Sequence, residues 1–205
     1  MDITVVDYGI GNLGAIPNML KRLGATADVT NDPARIERAE KLILPGVGAF
    51  DAAMGNLREL GLIEILDRQV RERRVPILGL CLGMQILARS SEEGVLPGFG
   101  WIPARVVRFH LDESDRSLHV PMMGWNYVRT VRPHRLVANL GEDPRFYFAH
   151  SYHLVCDERE DVVGLTTYGY EFPSVVQHGN VMGAQFHPEK SHRFGMKIFE
   201  NFLAI

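Results

Sequence analysis

Cysteine is scarce in this chain, and so are long apolar runs and any excess of one charge. Only Cys81 and Cys156 occur among 205 residues, too few for a disulfide framework, which sets aside the stapled secreted domains. No apolar stretch approaches the ~20 residues that span a bilayer. The opening Met1-Asp2-Ile3-Thr4-Val5-Val6-Asp7 lacks the basic region and apolar core of a signal peptide. A net charge of -3 gives no electrostatic reason to expect nucleic acid or an anionic membrane as partner. Internal repeats and low-complexity stretches are absent as well. These absences leave an ordinary soluble protein, and a reducing cytoplasm, where a free thiol survives, is its expected location. The hydrophobic content of 46% suffices for one substantial core, so a single domain over residues 1–205 is expected.

The first part of the chain alternates apolar runs with helical patterns. Strands are expected at 3–7, 27–30, 41–44 and just before Cys81, with helices at 12–23, closed by Gly24, and at 49–74. Repeated strand-helix-strand units imply a parallel sheet with helices on both faces. The second half reads differently, as strands at 104–109, 127–131, 145–149, 162–166, 174–178 and 181–186 separated by turns. His178-Gly179-Asn180 has the composition of a hairpin connection. A last helix over 194–203 places Phe194, Ile198, Phe202 and Leu203 at helical spacing. The fold class expected is therefore α/β: an open, mostly parallel central sheet flanked by helices, with an antiparallel extension in the second half.

Chemistry enters at Val75-Pro76-Ile77-Leu78-Gly79-Leu80-Cys81-Leu82-Gly83-Met84-Gln85, an apolar strand-like run with a lone cysteine between two glycines. Glycine two positions before and two after a nucleophile is what a sharp strand-to-helix turn requires, because neighbouring backbone crowds against it. A helix starting just after Cys81 favours negative charge at the sulfur. A cysteine nucleophile also needs a base, and Gly183-Ala184-Gln185-Phe186-His187-Pro188-Glu189-Lys190-Ser191 offers one. Pro188 biases His187 toward an extended conformation, in which residues two apart face the same way, so Glu189 can orient the imidazole. A Cys81, His187, Glu189 triad follows. Pro45-Gly46-Val47-Gly48 supplies the third element, since its glycines let the backbone amides of Val47 and Gly48 turn toward a developing oxyanion, with the Leu82 amide as a further donor. Neither a metal nor another cofactor is expected. His150 and His153, three apart on one strand, would face opposite sides, and Cys156 reads as a packing residue.

In that order GLCLGMQ, PGVGAF and GAQFHPEKS make the chain resemble the triad-type, class I glutamine amidotransferases. VVDYGIGN, SSEEG, PMMGWN and YFAHSYH narrow the resemblance to the glutaminase subunits of imidazole glycerol phosphate synthases, over nearly the whole chain. It implies attack of Cys81 on the side-chain amide of L-glutamine, proton transfer by His187 to departing ammonia, and hydrolysis of a glutamyl thioester. By the same resemblance Gln85 and Glu93 hold the amino-acid end of glutamine, and Ser151 with Gly48 lines the pocket. The partner implied is a cyclase subunit with a (βα)8 barrel, in a heterodimer that makes imidazole glycerol phosphate and an aminoimidazole carboxamide ribotide. Asn12, Trp125, Tyr147, His150 and Lys190 match positions at the partner interface or on the ammonia path. Met122 departs from the family pattern, which usually has a polar residue there. Other readings are a glutaminase serving a different synthase, such as a nucleotide-sugar amidating enzyme, and a non-catalytic binding subunit, against which the intact triad counts.

Overall fold

Runs of β-branched and leucine residues too short for helices become strands buried on both faces, and the helices between them supply the covering layers. A computed structural model describes residues 3–11, 13–112, 114 and 116–205; the expectations placed on Asn12 lie outside the described residues. Strand β1 (Ile3–Val6) is followed by helix α1 (Ala15–Arg22), β2 (Ala27–Thr30) and α2 (Pro33–Ile36), whose cap Asp32 accepts the Ala34 N–H at 2.9 Å. Next come β3 (Lys41–Gly46), α3 (Phe50–Glu59) and α4 (Leu62–Asp67), which runs on into a π-helical turn, Arg68–Glu72. Strand β4 (Ile77–Cys81) then leads into the single turn of α5 (Leu82–Gln85).

The second half is strand-rich. It contains β5 (Ser90–Ser91), β6 (Ala104–Arg108), β7 (Met122–Tyr127), β8 (Arg129–Thr130), β9 (Arg145–His150) and β10 (Tyr152–Cys156). After these come β11 (Val162–Tyr168), β12 (Tyr170–His178), β13 (Val181–Ala184) and the closing helix α6 (His192–Leu203).

The main sheet has eight strands in the order β2-β1-β3-β4-β13-β12-β11-β8. From β2 to β13 all pairs are parallel, and from β13 onward they are antiparallel, so β4 sits between two parallel neighbours. Smaller sheets, β10-β6-β5 and β7-β9, flank it. Alternate residues feed two apolar layers: Val6, Leu44 and Ile77 join Phe50, Leu57 and Leu87 on one face. Val5, Ile43 and Leu78 join Phe146, Phe172, Phe186 and Phe199 on the other.

Several sequence expectations change. The helix expected over 49–74 is broken at Gly61, whose φ of 68° turns the chain between α3 and α4. A strand expected over 127–131 is two elements in different sheets, β7 ending at Tyr127 and β8 starting at Arg129. His150 and His153 do not face opposite sides: the chain bends at Ser151 between β9 and β10, which belong to different sheets, and both rings pack on Phe109, at 5.3 and 4.8 Å, and on Phe172. Met122, the departure from the family pattern, is buried opposite His150 in the aromatic layer, a place an apolar side chain fits. The hairpin at His178-Gly179-Asn180 is present, with His178 paired to Val181 and Gly179 at φ 58°.

Candidate active site

Parallel pairing aligns three chain segments at the carboxyl edge of the sheet. Gly46 stands opposite Cys81 at the end of β3 and β4, and Ala184 stands opposite Leu80 at the end of β13. The loop 45–48, the cysteine and the segment 185–189 thus leave the sheet side by side, where open α/β sheets bind ligands. Cys81 itself has φ 53° and ψ -112°, a strained conformation for a residue with a side chain, held by the strand before it and the helical turn after it.

The glycines around it are there because nothing larger fits. A Cβ on Gly79 would lie 2.5 Å from the Gly83 carbonyl oxygen, and one on Gly83 would lie 1.8 Å from that of Leu44. Gly46 is equally confined, with the Tyr8 hydroxyl 2.7 Å from where its Cβ would stand. Tyr8, fully buried, donates its hydroxyl to the Pro45 carbonyl and so anchors the loop's first residue. Burial, with the charge of Cys81 second, pushes the Tyr8 pKa far up, so the hydroxyl stays a donor.

His187 is close enough to Cys81 for their charges to interact, and its Nδ1 is 2.9 Å from Glu189 Oε1. The contact does not arise from strand alternation. His187 is extended, but Pro188 starts a 3-10 turn, Pro188–Lys190, that swings Glu189 back to the ring. The His187 backbone is pinned at both ends: its N–H donates to Tyr147 O at 2.9 Å, and its carbonyl accepts the Ser191 hydroxyl at 2.6 Å. Burial opposes charge on this imidazole, yet hydrogen bonds to Cys81 and Glu189, and their negative charge, outweigh it and push the pKa up to about 10.

A cavity of about 190 Å³ opens on the sulfur, lined by Val47, Gly48, Cys81, Leu82, Gln85, Glu93, Pro121, Ala149, His150, Ser151 and Tyr152. It is below the ~300–1,000 Å³ of drug-sized pockets and suits a single amino acid. Gly48, at φ 108°, takes a conformation open to glycine, and Leu82 opens α5, so its N–H has no helical partner. Glu93 Oε2 accepts the Phe50 N–H at 2.9 Å, tying the start of α3 to this wall. Gln85 Nε2 donates to Tyr152 O at 2.8 Å.

The residues expected at the partner face divide into two groups. Trp125 and Lys190 are exposed and meet at Tyr147: Lys190 Nζ lies 5.4 Å from the Tyr147 ring, and Trp125 stands edge-on to it at 6.1 Å. Tyr147 in turn lies 6.5 Å from the His187 ring, so this patch adjoins the triad from outside. His150 is instead buried and lines the cavity. A larger groove of about 970 Å³, lined by Trp125, Tyr127 and Arg145 among others, lies beside the patch, and Cys81 is not among its lining residues. Among the described residues no group of three or more His, Cys, Asp or Glu is placed to hold a metal ion.

Sequence reasoning assigned no role to Tyr8, Ser191 or Gln185, although it quoted the motifs that contain them. Tyr8 and Gln185 act on residues far along the chain, and the Ser191 hydroxyl, besides its bond to His187, accepts the distant Tyr147 N–H at 3.0 Å, relations that spacing does not reveal.

The profile of the family "Glutamine amidotransferase class-I" matches residues 4–205. The chain belongs to the class I glutamine amidotransferase family. Among curated amidotransferase relatives, "Imidazole glycerol phosphate synthase subunit HisH 2" of Methanococcus maripaludis is 51% identical, covering 98% of each chain. The protein of the same name from Pseudomonas aeruginosa is 49% identical over 99% of each, and "Imidazole glycerol phosphate synthase subunit HisH" of Leptospira borgpetersenii is 44% identical over 99% of this chain and 100% of that one. Solved structures share the amidotransferase fold at lower identity. A glutamine amidotransferase superposes with TM-score 0.74 at 22% identity, covering 98% of this chain and 97% of the other. PurLQS from Thermotoga maritima does so with TM-score 0.71 at 22% identity, covering 99% and 97%.

Proposed function

We propose that this chain hydrolyses L-glutamine to L-glutamate and ammonia as the glutaminase subunit of an imidazole glycerol phosphate synthase, and that a (βα)8-barrel cyclase takes the ammonia in a heterodimer. The observation that carries the reading is a strained cysteine electrostatically coupled to a carboxylate-oriented histidine, facing an amino-acid-sized cavity, in a chain about half identical to subunits of that name over its full length. Cys81 Sγ attacks the amide carbon, and the negative charge that develops on oxygen meets the amides of Val47, Gly48 and Leu82. His187 gives its proton to the departing ammonia, leaving a glutamyl thioester. Water, deprotonated by the now neutral His187, attacks that thioester and releases glutamate with Cys81 restored. Glu189 holds the imidazole in place throughout. Gln85, Glu93 and Ser151 take the α-amino and carboxylate groups of glutamine, Glu93 pairing with the ammonium.

The exposed patch of Trp125, Tyr147 and Lys190 is the face against which the cyclase docks, with the ammonia leaving past His150. A cytoplasmic location fits this role, and no helix among the described residues is long and apolar enough to cross a membrane. The full range 1–205 acts as one amidotransferase unit.

The test is glutamate release by the chain alone and with a barrel cyclase carrying its nucleotide ligand. Slow release alone and much faster release in the complex are expected, because the exposed loop at Val47 and Gly48 aims its donors only when the partner covers it. Losing an aimed oxyanion donor is worth about a hundredfold to a thousandfold in rate. Equal rates with and without the partner refute the gating. Cys81→Ala should abolish glutaminase activity while the complex still uses added ammonia; native-rate hydrolysis by that variant refutes the nucleophile assignment.

A further inference from the structure

Gln185 ends the main-sheet side of the site, just beyond β13, and is fully buried. A buried primary amide has two donors and an acceptor to satisfy, so its orientation is set by its neighbours. That orientation can be derived. Tyr152 O is a backbone carbonyl and only accepts, so the Gln85 atom 2.8 Å from it is the donor Nε2. The same Nε2 lies 3.3 Å from the Gln185 amide, and the atom it meets there must be the acceptor Oε1. The other end of the Gln185 amide, Nε2, is thereby turned onto Cys81 Sγ at 3.9 Å. Its main chain is engaged separately, the N–H donating to Ser174 O at 2.9 Å.

We infer that Gln185 is a second hydrogen-bond donor to the sulfur of Cys81, acting beside His187, and that Gln85 fixes its direction, so one chain of amides links the pocket wall to the nucleophile. The inference rests on the reading of Cys81 as the nucleophile. Sulfur is a weak acceptor as a thiol and a better one as a thiolate, so the contact favours the charged form. The division of labour with His187 follows from the chemistry. His187 must surrender its proton to ammonia, whereas an amide cannot transfer one and remains a donor through the cycle. Its contribution is therefore largest when the thioester is hydrolysed and Cys81 departs as thiolate, at a moment when His187 is occupied with the attacking water. Because Gln85 Nε2 polarises the Gln185 carbonyl, glutamine that displaces or tightens Gln85 also changes the donor at sulfur.

The experiment follows alkylation of Cys81 by iodoacetamide against pH on the full chain, with Cys81 and Cys156 resolved by peptide mass spectrometry. Gln185→Leu removes the donor at similar volume, and Gln185→Glu keeps the shape while placing a carboxylate at the sulfur. The midpoint of the alkylation profile should rise by about one pH unit in Gln185→Leu and by more in Gln185→Glu. Glutamine kcat should fall about tenfold, with KM moving less. A profile that stays in place in Gln185→Leu overturns the proposal, whatever happens to kcat, because a residue that only shapes the pocket would leave the sulfur's titration alone. If Gln185→Leu does not fold, Gln185→Met, which also lacks the donor, decides in its place. Alkylation needs no glutamine, so a parent protein that alkylates at Cys81 but releases no glutamate would fail the proposed function while leaving this test readable.

Discussion

At Gly83 a single added methyl would overlap the Leu44 carbonyl, and that overlap cannot be relieved by a side-chain rotation, since the atom it meets belongs to the backbone of β3. Gly83→Ala should therefore push β3 and the oxyanion loop away from the elbow, cost about 1–3 kcal/mol or more in urea unfolding, and lower glutaminase activity beyond that. Gly55 is the control. It lies inside α3 with nothing within 4 Å of its missing Cβ, so Gly55→Ala should stabilise the protein by about 0.5–1 kcal/mol and leave activity unchanged. Equal effects at the two positions would show that the elbow tolerates a side chain. The contrast also explains what was legible at this scale. The spacing Gly79-Leu80-Cys81-Leu82-Gly83 announces a backbone constraint because the constraint is local. Gln185 reaches Cys81 across 104 positions and Tyr8 reaches Pro45 across 37, so no spacing rule points to either, even inside a recognisable motif.

Among the elements, α6 is held by an unusual pin. Lys41, at the start of β3, is buried, and its Nζ donates to Phe202 O at 2.9 Å and to Leu203 O at 2.5 Å, two carbonyls at the end of α6, of which Phe202 O also accepts the Ile205 N–H at 3.3 Å. Burial lowers the Lys41 pKa, opposed by the neighbouring Glu40 charge. Placing a cation against the negative end of the helix is favourable, and bonds from a charged donor are worth about 1.5–3 kcal/mol. Lys41→Met keeps the stem and removes the charged donor, so it should lower stability by roughly that amount and speed amide exchange in the last turn of α6 before the rest of the helix. Unchanged exchange there would mean that the apolar face of Phe194, Ile198, Phe199 and Phe202 alone holds the element. Phe194, Ile198 and Phe202 of that face were readable from their helical spacing, and the strands β1, β2 and β13 from their short runs. The elements misjudged are those whose pattern is set by tertiary contact. Gly61 interrupts a continuous helical signal, and β7 exposes Met123, Trp125 and Tyr127, so it lacks the polar outer face that marks a strand. Tyr127 and Arg129 appear as one run although the sheets part between them.

For the molecule as a whole, the buried histidines make stability depend on pH with a sign that follows from their surroundings. His150 is 6% exposed, and its Nδ1 is spent on Tyr152 O at 2.8 Å. Burial, only partly offset by that bond, pushes its pKa down to about 3, and the neighbouring His153 and His187 add to the effect. His153 is lowered as well, burial again leading. The folded protein keeps His150 neutral, while the unfolded chain protonates it near pH 6.5, so below that value the unfolded state binds the extra proton. Stability from this group is complete above about pH 6.5 and is lost as pH falls toward 3, at about 1.4 kcal/mol per unit. His187 has the opposite shift, so the His150 share must be read by difference. His150→Gln, which can still donate to Tyr152 O, removes the titration; subtracting its urea stability curve from that of the parent should leave a decline of about 2 kcal/mol between pH 7.5 and pH 5. A flat difference would mean that His150 takes up a proton in the folded state, and a cation would then stand in the wall of the glutamine cavity beside Glu93.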